Sequence, residues 1–114
     1  NSVVTSLERM TRDIKASSDI VIAQSTFDVH PGRLVLQSSA TTTEFYLSSG
    51  ILRVKENTVD TGSLTQQGSS IDSLIFRLLD NGTSEAVRIE MTVSITHKDI
   101  TKTKKFYSTA VLRN

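Results

Sequence analysis

The most constraining feature of the sequence is a run of nine residues in which apolar and polar side chains alternate without interruption. The apolar members are Val87, Ile89, Met91, Val93 and Ile95, and the polar members between them are Arg88, Glu90, Thr92 and Ser94. Successive side chains of a β-strand point to opposite faces of its sheet, so this alternation predicts a strand with one face buried and one face in water. The run therefore predicts the long central strand of an antiparallel sheet.

Turn signals on either side of this run predict further strands and hairpins. Asp80-Asn81-Gly82 precedes the run, and Asn-Gly between two apolar segments is a strong signal for a β-hairpin. His30-Pro31-Gly32 and Ser48-Ser49-Gly50 mark two more turns, because proline fixes φ and glycine permits the chain to reverse. The segments between the turns predict a strand or extended connection at Asp19 to Ala23, and strands at Arg33 to Gln37, Thr43 to Ser48, Ile51 to Lys55, Ile71 to Leu79 and Phe106 to Leu112.

Two polar stretches hold too few apolar side chains to predict regular strands. Asn57 to Ser70 has only Val59 and Leu64 as apolar anchors, and it predicts a loop with at most one short, irregular strand. His97 to Lys105 is rich in lysine and threonine, and it predicts a polar hairpin loop before the last strand.

The first 18 residues have a helical period instead. The apolar side chains there are Val3, Val4, Leu7, Met10 and Ile14, and the charged ones are Glu8, Arg9, Arg12, Asp13 and Lys15. Steps of three and four between the apolar positions predict an amphipathic α-helix whose apolar face packs on the sheet. Glu8 precedes Arg12 by four residues and Arg9 precedes Asp13 by four, which predicts ion pairs worth a few tenths of a kcal/mol each.

The start of this helix has two interpretations. The apolar seam is already present at Val3, so we expect the helix to be the continuation of a longer one that begins upstream. Alternatively, Thr5-x-x-Glu8 fits a capping box, which would start the helix at Thr5.

Length and composition place these elements in one domain. The chain has 114 residues, and 37% of them are hydrophobic, which is enough for one modest core and too little for two. We therefore expect an α+β fold in a single domain, with residues 1–18 as the helix and residues 19–114 as a mostly antiparallel β-sheet head.

The sequence gives little indication of catalysis. It has no cysteine and lacks the motifs of nucleotide-binding loops, zinc proteases and serine hydrolases. His30 lies in a turn and His97 at the end of a strand, and neither has a second candidate metal ligand nearby in the sequence. The acidic residues are too scattered for a calcium loop. We therefore expect no enzyme activity, cofactor or metal.

Charge is unevenly distributed along the chain. Residues 1–97 carry eight basic against eleven acidic side chains, a net charge of −3, while residues 98–114 carry five against one, a net charge of +4. The basic cluster consists of Lys98, Lys102, Lys104 and Lys105. It predicts either a patch for an anionic ligand such as nucleic acid, or lysines that protect an edge strand from aggregation, and we favour the second interpretation.

Three passages of the sequence, at residues 7–16, between residues 33 and 53, and at residues 109–114, resemble the type IV pilin-like family, particularly the minor pseudopilins of type II secretion systems. Residues 7–16, Leu-Glu-Arg-Met-Thr-Arg-Asp-Ile-Lys-Ala, resemble the helix segment that follows the membrane anchor in that family. The strands Arg33 to Leu36 and Phe45 to Leu47, together with Gly50 to Arg53, resemble its paired hairpin strands. The ending Thr109 to Asn114 is similar to many pseudopilin C-termini.

The resemblance implies a pilin-like fold and a structural function in a filament. Such proteins are cut by a prepilin peptidase, N-methylated and assembled through a hydrophobic helix anchored in the cytoplasmic membrane, either in a surface filament or in a secretion pseudopilus. Residues 1–18 would then be the C-terminal half of the pilin-like helix, and a missing upstream half would account for the absent Gly-Phe-Thr-x-x-Glu cleavage region. The calcium loop and C-terminal disulfide of the family have no match here.

The resemblance also assigns roles to both faces of the helix. The apolar side chains, Val3, Val4, Leu7, Met10 and Ile14, would hold the sheet, and Glu8, Arg9, Arg12 and Asp13 would contact neighbouring pilin or pseudopilin subunits. The resulting hypothesis is a structural subunit in the cell envelope that serves a pilus, protein secretion or DNA uptake in competence. The alternatives are a surface binding module, an adhesin or a DNA-binding minor pilin that uses the four lysines, and, least favoured, an enzyme.

Overall fold

The computed structural model describes residues 2–65 and 68–113. In this part of the chain one α-helix, α1 (Ser2–Ala16), precedes a short 3-10 turn (Ile22–Gln24) and eight strands. The strands are β1 (Asp19–Ile20), β2 (Leu34–Ser38), β3 (Thr41–Ser48), β4 (Ile51–Glu56), β5 (Val59–Ser63), β6 (Ser69–Asp80), β7 (Glu85–His97) and β8 (Ile100–Val111).

The strands form two antiparallel sheets, each a simple meander. The first sheet has the order β1-β2-β3-β4-β5, and the second has the order β6-β7-β8. All neighbouring strands are antiparallel. From β2 to β5 and from β6 to β8, consecutive strands are joined by short turns, whereas residues 21–33 connect β1 to β2. Both sheets are therefore built mainly from local hairpins.

The expected α+β class, with a pilin-like helix packed on one sheet, is wrong. The described chain is mostly antiparallel β, in two sheets, with one short helix. The strand content exceeds that of the predicted apolar strands mainly in the two polar stretches, residues 57–70 and 97–105. Residues 59–63 form β5, which is the one short, irregular strand that the sequence allowed in Asn57 to Ser70. β8 already begins at Ile100, inside the stretch expected to be a loop, because backbone hydrogen bonds with β7 order this polar segment without any apolar alternation of its own.

The long alternating strand is confirmed. It is β7, which pairs with β6 from Ser69↔Ile95 to Asp80↔Glu85 and with β8 from Ala86↔Val111 to His97↔Ile100. Its alternate side chains Val87, Ile89, Met91 and Val93 are buried. The predicted hairpin at Asn81-Gly82 also forms and joins β6 to β7. The strict alternation follows from the central position of β7 in its sheet, because the face of β7 that points to the core must be apolar along its length.

One continuous hydrophobic core lies between the inner faces of the sheets and α1. The first sheet contributes Leu34, Leu36, Phe45, Leu52 and Val54, and the second contributes Ile71, Leu74, Phe76, Val87, Ile89, Met91, Val93 and Ala110. The helix packs against β8 of the second sheet and β2 of the first. Because each sheet has one apolar face, the shared core is what holds the two meanders and the helix in one unit.

Val35 shows that part of the first sheet is covered on both faces. Alternation along β2 predicts that only Leu34 and Leu36 are buried, yet Val35 is 0% exposed. The segment before β2 runs along its edge: the Val21 N–H donates to the Val35 carbonyl over 2.9 Å, and the Val35 N–H donates to Ser25 Oγ over 3.0 Å. These bonds continue along the edge of β2 the pairing that β1 begins.

Gly32 lies where the loop before β2 crosses the edge of β6. The Gly32 N–H donates to the Leu74 carbonyl over 2.8 Å, and the Asp28 N–H donates to the Phe76 carbonyl over 2.9 Å. A Cβ at Gly32 would lie 2.9 Å from both the Leu74 carbonyl oxygen and the Phe76 ring. The turn expected at His30-Pro31-Gly32 therefore also links the two sheets, and a residue without a side chain is required for this close approach.

Glu85, at the start of β7, is expected to destabilise the fold at neutral pH. Burial raises its pKa, and the nearby carboxylates of Asp80 and Asp19 raise it further. A raised folded-state pKa stabilises the fold below the unfolded-state pKa, and this stability is lost as the pH rises through the folded-state value. We expect Glu85→Gln to raise the melting temperature at pH 7 and to leave it nearly unchanged near pH 3, measured by circular dichroism.

Glu90, on the outer face of the same strand, is the matched control for this prediction. A hydrogen bond from Arg77 lowers the pKa of Glu90, so its ionised form stabilises the fold above the unfolded-state pKa and this stability is lost in acid. Glu90→Gln should therefore lower the melting temperature at pH 7. The same direction of change in both variants would contradict the assignment.

Candidate functional site

The helix presents one buried side to the core. Val3, Met10 and Ile14 are 0 or 1% exposed, and Leu7 is partly buried against the same core. Val4 is different, since it is 44% exposed and does not hold the sheet. The physical reason is helical geometry: consecutive residues are separated by about 100°, so Val3 and Val4 cannot both point into one narrow core.

The charged side chains of α1 divide into a partly buried group and an exposed group. Arg9 Nε lies 3.3 Å from the Asp13 carboxylate, and Arg9 Nη2 donates to Glu56 on β4 over 2.8 Å. Arg12 Nε lies 3.4 Å from Asp13, and its side chain is 73% exposed. The expected Glu8–Arg12 pair is not among the ion pairs of residues 2–65 and 68–113. Arg9 and Asp13 therefore tie the helix to itself and to β4, while Glu8 and Arg12 are exposed.

A groove of about 470 Å³ runs between α1 and the free edge of β8. Its lining combines apolar, hydroxyl and charged side chains: Val4, Leu7, Glu8, Thr11, Arg12, Lys15, Tyr107 and Ser108. Tyr107 is 57% exposed, and the Arg88 guanidinium lies 5.2 Å from its ring centre. We call this surface the helix groove.

Two contacts fix the direction of the helix relative to β8. Thr11 Oγ1 and Ser108 Oγ are 3.0 Å apart, and the Arg113 N–H donates to the Ser17 carbonyl over 3.1 Å. Residue numbers therefore increase in the same direction along α1 and along β8. The helix groove follows this parallel pair, beside an edge strand whose outward backbone groups have no strand partner in the described chain.

The basic cluster does not lie in a loop, contrary to the expectation from sequence. A two-residue turn, Lys98-Asp99, ends β7, and Lys102, Lys104 and Lys105 belong to β8. Both turn residues have positive φ, 50° and 66°, as a type I′ hairpin turn requires. Sequence reasoning missed the turn because Lys-Asp is not among the usual residue pairs for it.

The strand divides the lysines between its two faces. Register places Lys102 opposite Ile95 and Lys104 opposite Val93, on the face that includes the buried side chains of β7. Lys105 lies on the other face, with Tyr107. None of the four lysines has a carboxylate within 4 Å in the described chain, where every salt bridge is made by an arginine.

Arginine ion pairs cover the outer faces of both sheets. On the first sheet Asp60 accepts hydrogen bonds from Arg53 at 2.8 and 3.2 Å and from the Tyr46 hydroxyl at 2.5 Å. These bonds, that from Arg53 first, hold the pKa of Asp60 well below its usual range, and the bond to Asp60 raises the pKa of Tyr46. The cluster is internally paired on an open surface, so it offers no free acid or base for catalysis.

The two histidines are exposed and lie far from each other in the sequence. The Leu74 N–H donates to His30 Nδ1 over 2.9 Å, so His30 helps to attach its turn to β6. His97 ends β7 and lines a concavity at the end of the hairpin. Groups of three or more side chains that could hold a metal ion are absent from residues 2–65 and 68–113.

Comparisons of the chain with protein-family models, with curated proteins and with solved structures give no match. In the described residues no helix has the length and apolar character needed to cross a membrane. Two surfaces of the described chain are the candidates for a binding function: the helix groove and the basic end of the β7–β8 hairpin.

Proposed function

We propose that this protein is a structural subunit of a filament of the type IV pilus or type II secretion pseudopilus kind, and that it contacts its neighbours through α1. The helix groove is the observation that carries the proposal. Its support from sequence is the resemblance of residues 7–16 to the helix of that family. The pilin-like fold class is not part of the proposal, since the domain is a two-sheet β structure.

The composition of the groove suits a protein neighbour rather than a small substrate. Val4 and Tyr107 are 44% and 57% exposed and provide apolar area in its lining. Glu8, Arg12 and Lys15 form a rim of mixed charge on the helix. Protein interfaces commonly combine aromatic and apolar centres with a polar rim. A segment of a neighbouring subunit with both apolar and charged side chains, such as a second amphipathic helix, would complement this lining.

The division of charges on α1 supports the same assignment. Arg9 is used inside the molecule, since it binds both Asp13 and Glu56. Arg12 pairs with Asp13 at 3.4 Å, but its side chain remains largely in solvent at 73% exposure and lines the groove. Glu8 and Arg12 lie one helical turn apart and carry opposite charges. They can therefore pair with complementary charges on a neighbour, which contributes more to the orientation of the two subunits than to their affinity.

Photocrosslinking in the cells that make the protein tests the proposal. A photoreactive phenylalanine analogue is placed at Val4 or at Tyr107 of the full-length chain, and adducts are identified by mass spectrometry. We expect adducts with filament subunits that carry an N-methylated apolar helix. Arg12→Glu should reduce the adduct yield several-fold, because it reverses a rim charge.

Leu79 supplies the control position for crosslinking. It is 47% exposed, close to the exposure of Val4, and lies on β6 at the opposite edge of the second sheet. Adducts at Leu79 in equal yield, or no adducts with such subunits at Val4 and Tyr107, would refute assembly through the helix. Normal secretion, piliation and DNA uptake after deletion of the full-length gene would refute the filament function itself.

A further inference from the structure

We infer that the end of the β7–β8 hairpin docks on an anionic membrane surface, with Ile100 entering the interfacial layer and the surrounding lysines contacting lipid headgroups. This inference does not depend on the proposed filament function, because it uses a different surface and requires only this chain. We call residues 95–105 the basic hairpin end.

The tip of the basic hairpin end, residues 97–100, extends past the third strand of its sheet. The first residue of β6, Ser69, pairs with Ile95, and the Thr96 N–H donates to the Gly68 carbonyl over 2.9 Å. Beyond this point, within the described chain, the register pairs β7 only with β8, as in His97↔Ile100. The tip is therefore a two-stranded projection past β6, and Lys102, Lys104 and Lys105 lie on β8 in the three-stranded part behind it.

An exposed apolar side chain lies at the tip of this projection. Ile100 is 63% exposed and directly follows the Lys98-Asp99 turn. A concavity of about 310 Å³ on the core-side face continues from it, lined in the described chain by Ile95, His97, Ile100, Lys102 and Lys104. Apolar side chains beside lysines match the boundary between headgroups and acyl chains, where lysine stems lie along apolar material and their amines reach the phosphates.

The charge of the basic hairpin end complements an anionic surface. Residues 98–105 contain four lysines and one aspartate, a net charge of +3. None of these lysines is neutralised by a carboxylate within 4 Å in the described chain, whereas six arginines of the rest of the molecule are ion-paired. Each lysine near an anionic bilayer strengthens binding roughly fivefold.

The arrangement favours a membrane over nucleic acid. Lys102 and Lys104 lie on one face of β8, and Lys105 lies on the other. Lys98 lies in the turn and Lys102 two residues after Ile100, so a hairpin that meets a bilayer with its tip brings both to the headgroups, whereas a nucleic-acid backbone laid along one face would leave Lys105 unused. Ile100 has no counterpart in phosphate recognition, and Tyr107, the nearest exposed aromatic side chain, already stacks with Arg88.

Vesicle sedimentation of the 114-residue chain tests the inference. The probes are vesicles of phosphatidylcholine alone and vesicles that also contain phosphatidylglycerol. We expect binding to the anionic vesicles only, weakened by added salt. Lys102→Ser combined with Lys104→Ser should weaken binding by roughly 25-fold, and Ile100→Ser by on the order of fivefold.

Two variants elsewhere in the chain are matched controls. Val59 has the same exposure as Ile100, 63%, and follows the turn between β4 and β5. Lys55 lies over the Tyr46 ring on the first sheet, outside the basic hairpin end. Val59→Ser and Lys55→Ser should leave vesicle binding within about twofold of the parent. Because all the changed side chains are exposed or partly exposed, circular dichroism should show every variant folded.

The remaining outcomes contradict the inference. Equal binding to neutral vesicles, or no binding to anionic vesicles at low salt, would remove the membrane as partner. If the lysine substitutions abolish vesicle binding, Ile100→Ser does not, and duplex DNA binds equally tightly, the basic hairpin end is a general anion-binding surface. That result would favour nucleic acid as its ligand.

Discussion

Ile14→Asp is expected to unfold the domain or to leave it with only a small fraction of its stability. Ile14 is 0% exposed and lies in the core that α1 shares with both sheets. An unpaired carboxylate there costs several kcal/mol, in addition to the lost burial of the isoleucine. Domains of this size have a free energy of unfolding of only about 5–15 kcal/mol, so the expected loss is a large part of the total stability. Urea denaturation followed by circular dichroism measures it.

Val4→Asp is the control on the same helix. Val4 is 44% exposed and borders the helix groove, so the same substitution there should cost less than about 1 kcal/mol. A parent-like midpoint for Ile14→Asp would show that the helix does not pack on the core. Equal losses in both variants would show that the charge acts on the helix itself rather than on its packing.

Phe76→Ala is expected to destabilise the domain by about 3–5 kcal/mol. Phe76 is 0% exposed on β6, and its ring lies beside Gly32, in the loop that links the first sheet to the second. The substitution removes a large buried side chain and leaves a cavity where the two sheets meet. The midpoint of urea denaturation should fall accordingly, with the slope of the transition unchanged if unfolding remains two-state.

Leu79→Ala tests whether position rather than hydrophobicity determines this effect. Leu79 lies three residues later on β6 and is 47% exposed. Its loss should change the free energy of unfolding by less than about 1 kcal/mol. A similar loss for Leu79→Ala, or a change below about 1 kcal/mol for Phe76→Ala, would contradict the burial assigned to the inner face of β6.

The sequence was most informative where a local pattern determined a local structure. The alternating run predicted β7, and Asn81-Gly82 predicted the hairpin before it. The spacing of Met10 and Ile14 predicted a helix with a buried side. In each case the period of the apolar residues and the turn chemistry act within a few residues, which a sequence displays directly.

The sequence was least informative where the decisive partner was distant. The β8 segment from Ile100 to Lys105 looks like a loop by composition, but β7 orders it through backbone pairing. Val35 is fully buried although it lies on the outer face of β2, and the pattern within β2 does not indicate this. For the same reason, the sequence did not indicate the composition of either surface with a proposed role. Tyr107 belongs to the helix groove, and Ile100 to the basic hairpin end, only through long-range contacts.

By itself, the sequence determined the helix, the main hairpins and the alternation of their faces, because turn residues and apolar periods act locally. The tertiary structure decided that the hairpins divide into two sheets, and that α1 packs between β8 and β2 with Val4 exposed. It also decided that the lysines project on both faces of a strand. These features depend on which apolar faces share a core, and sequence patterns specify that a face is buried without specifying what covers it.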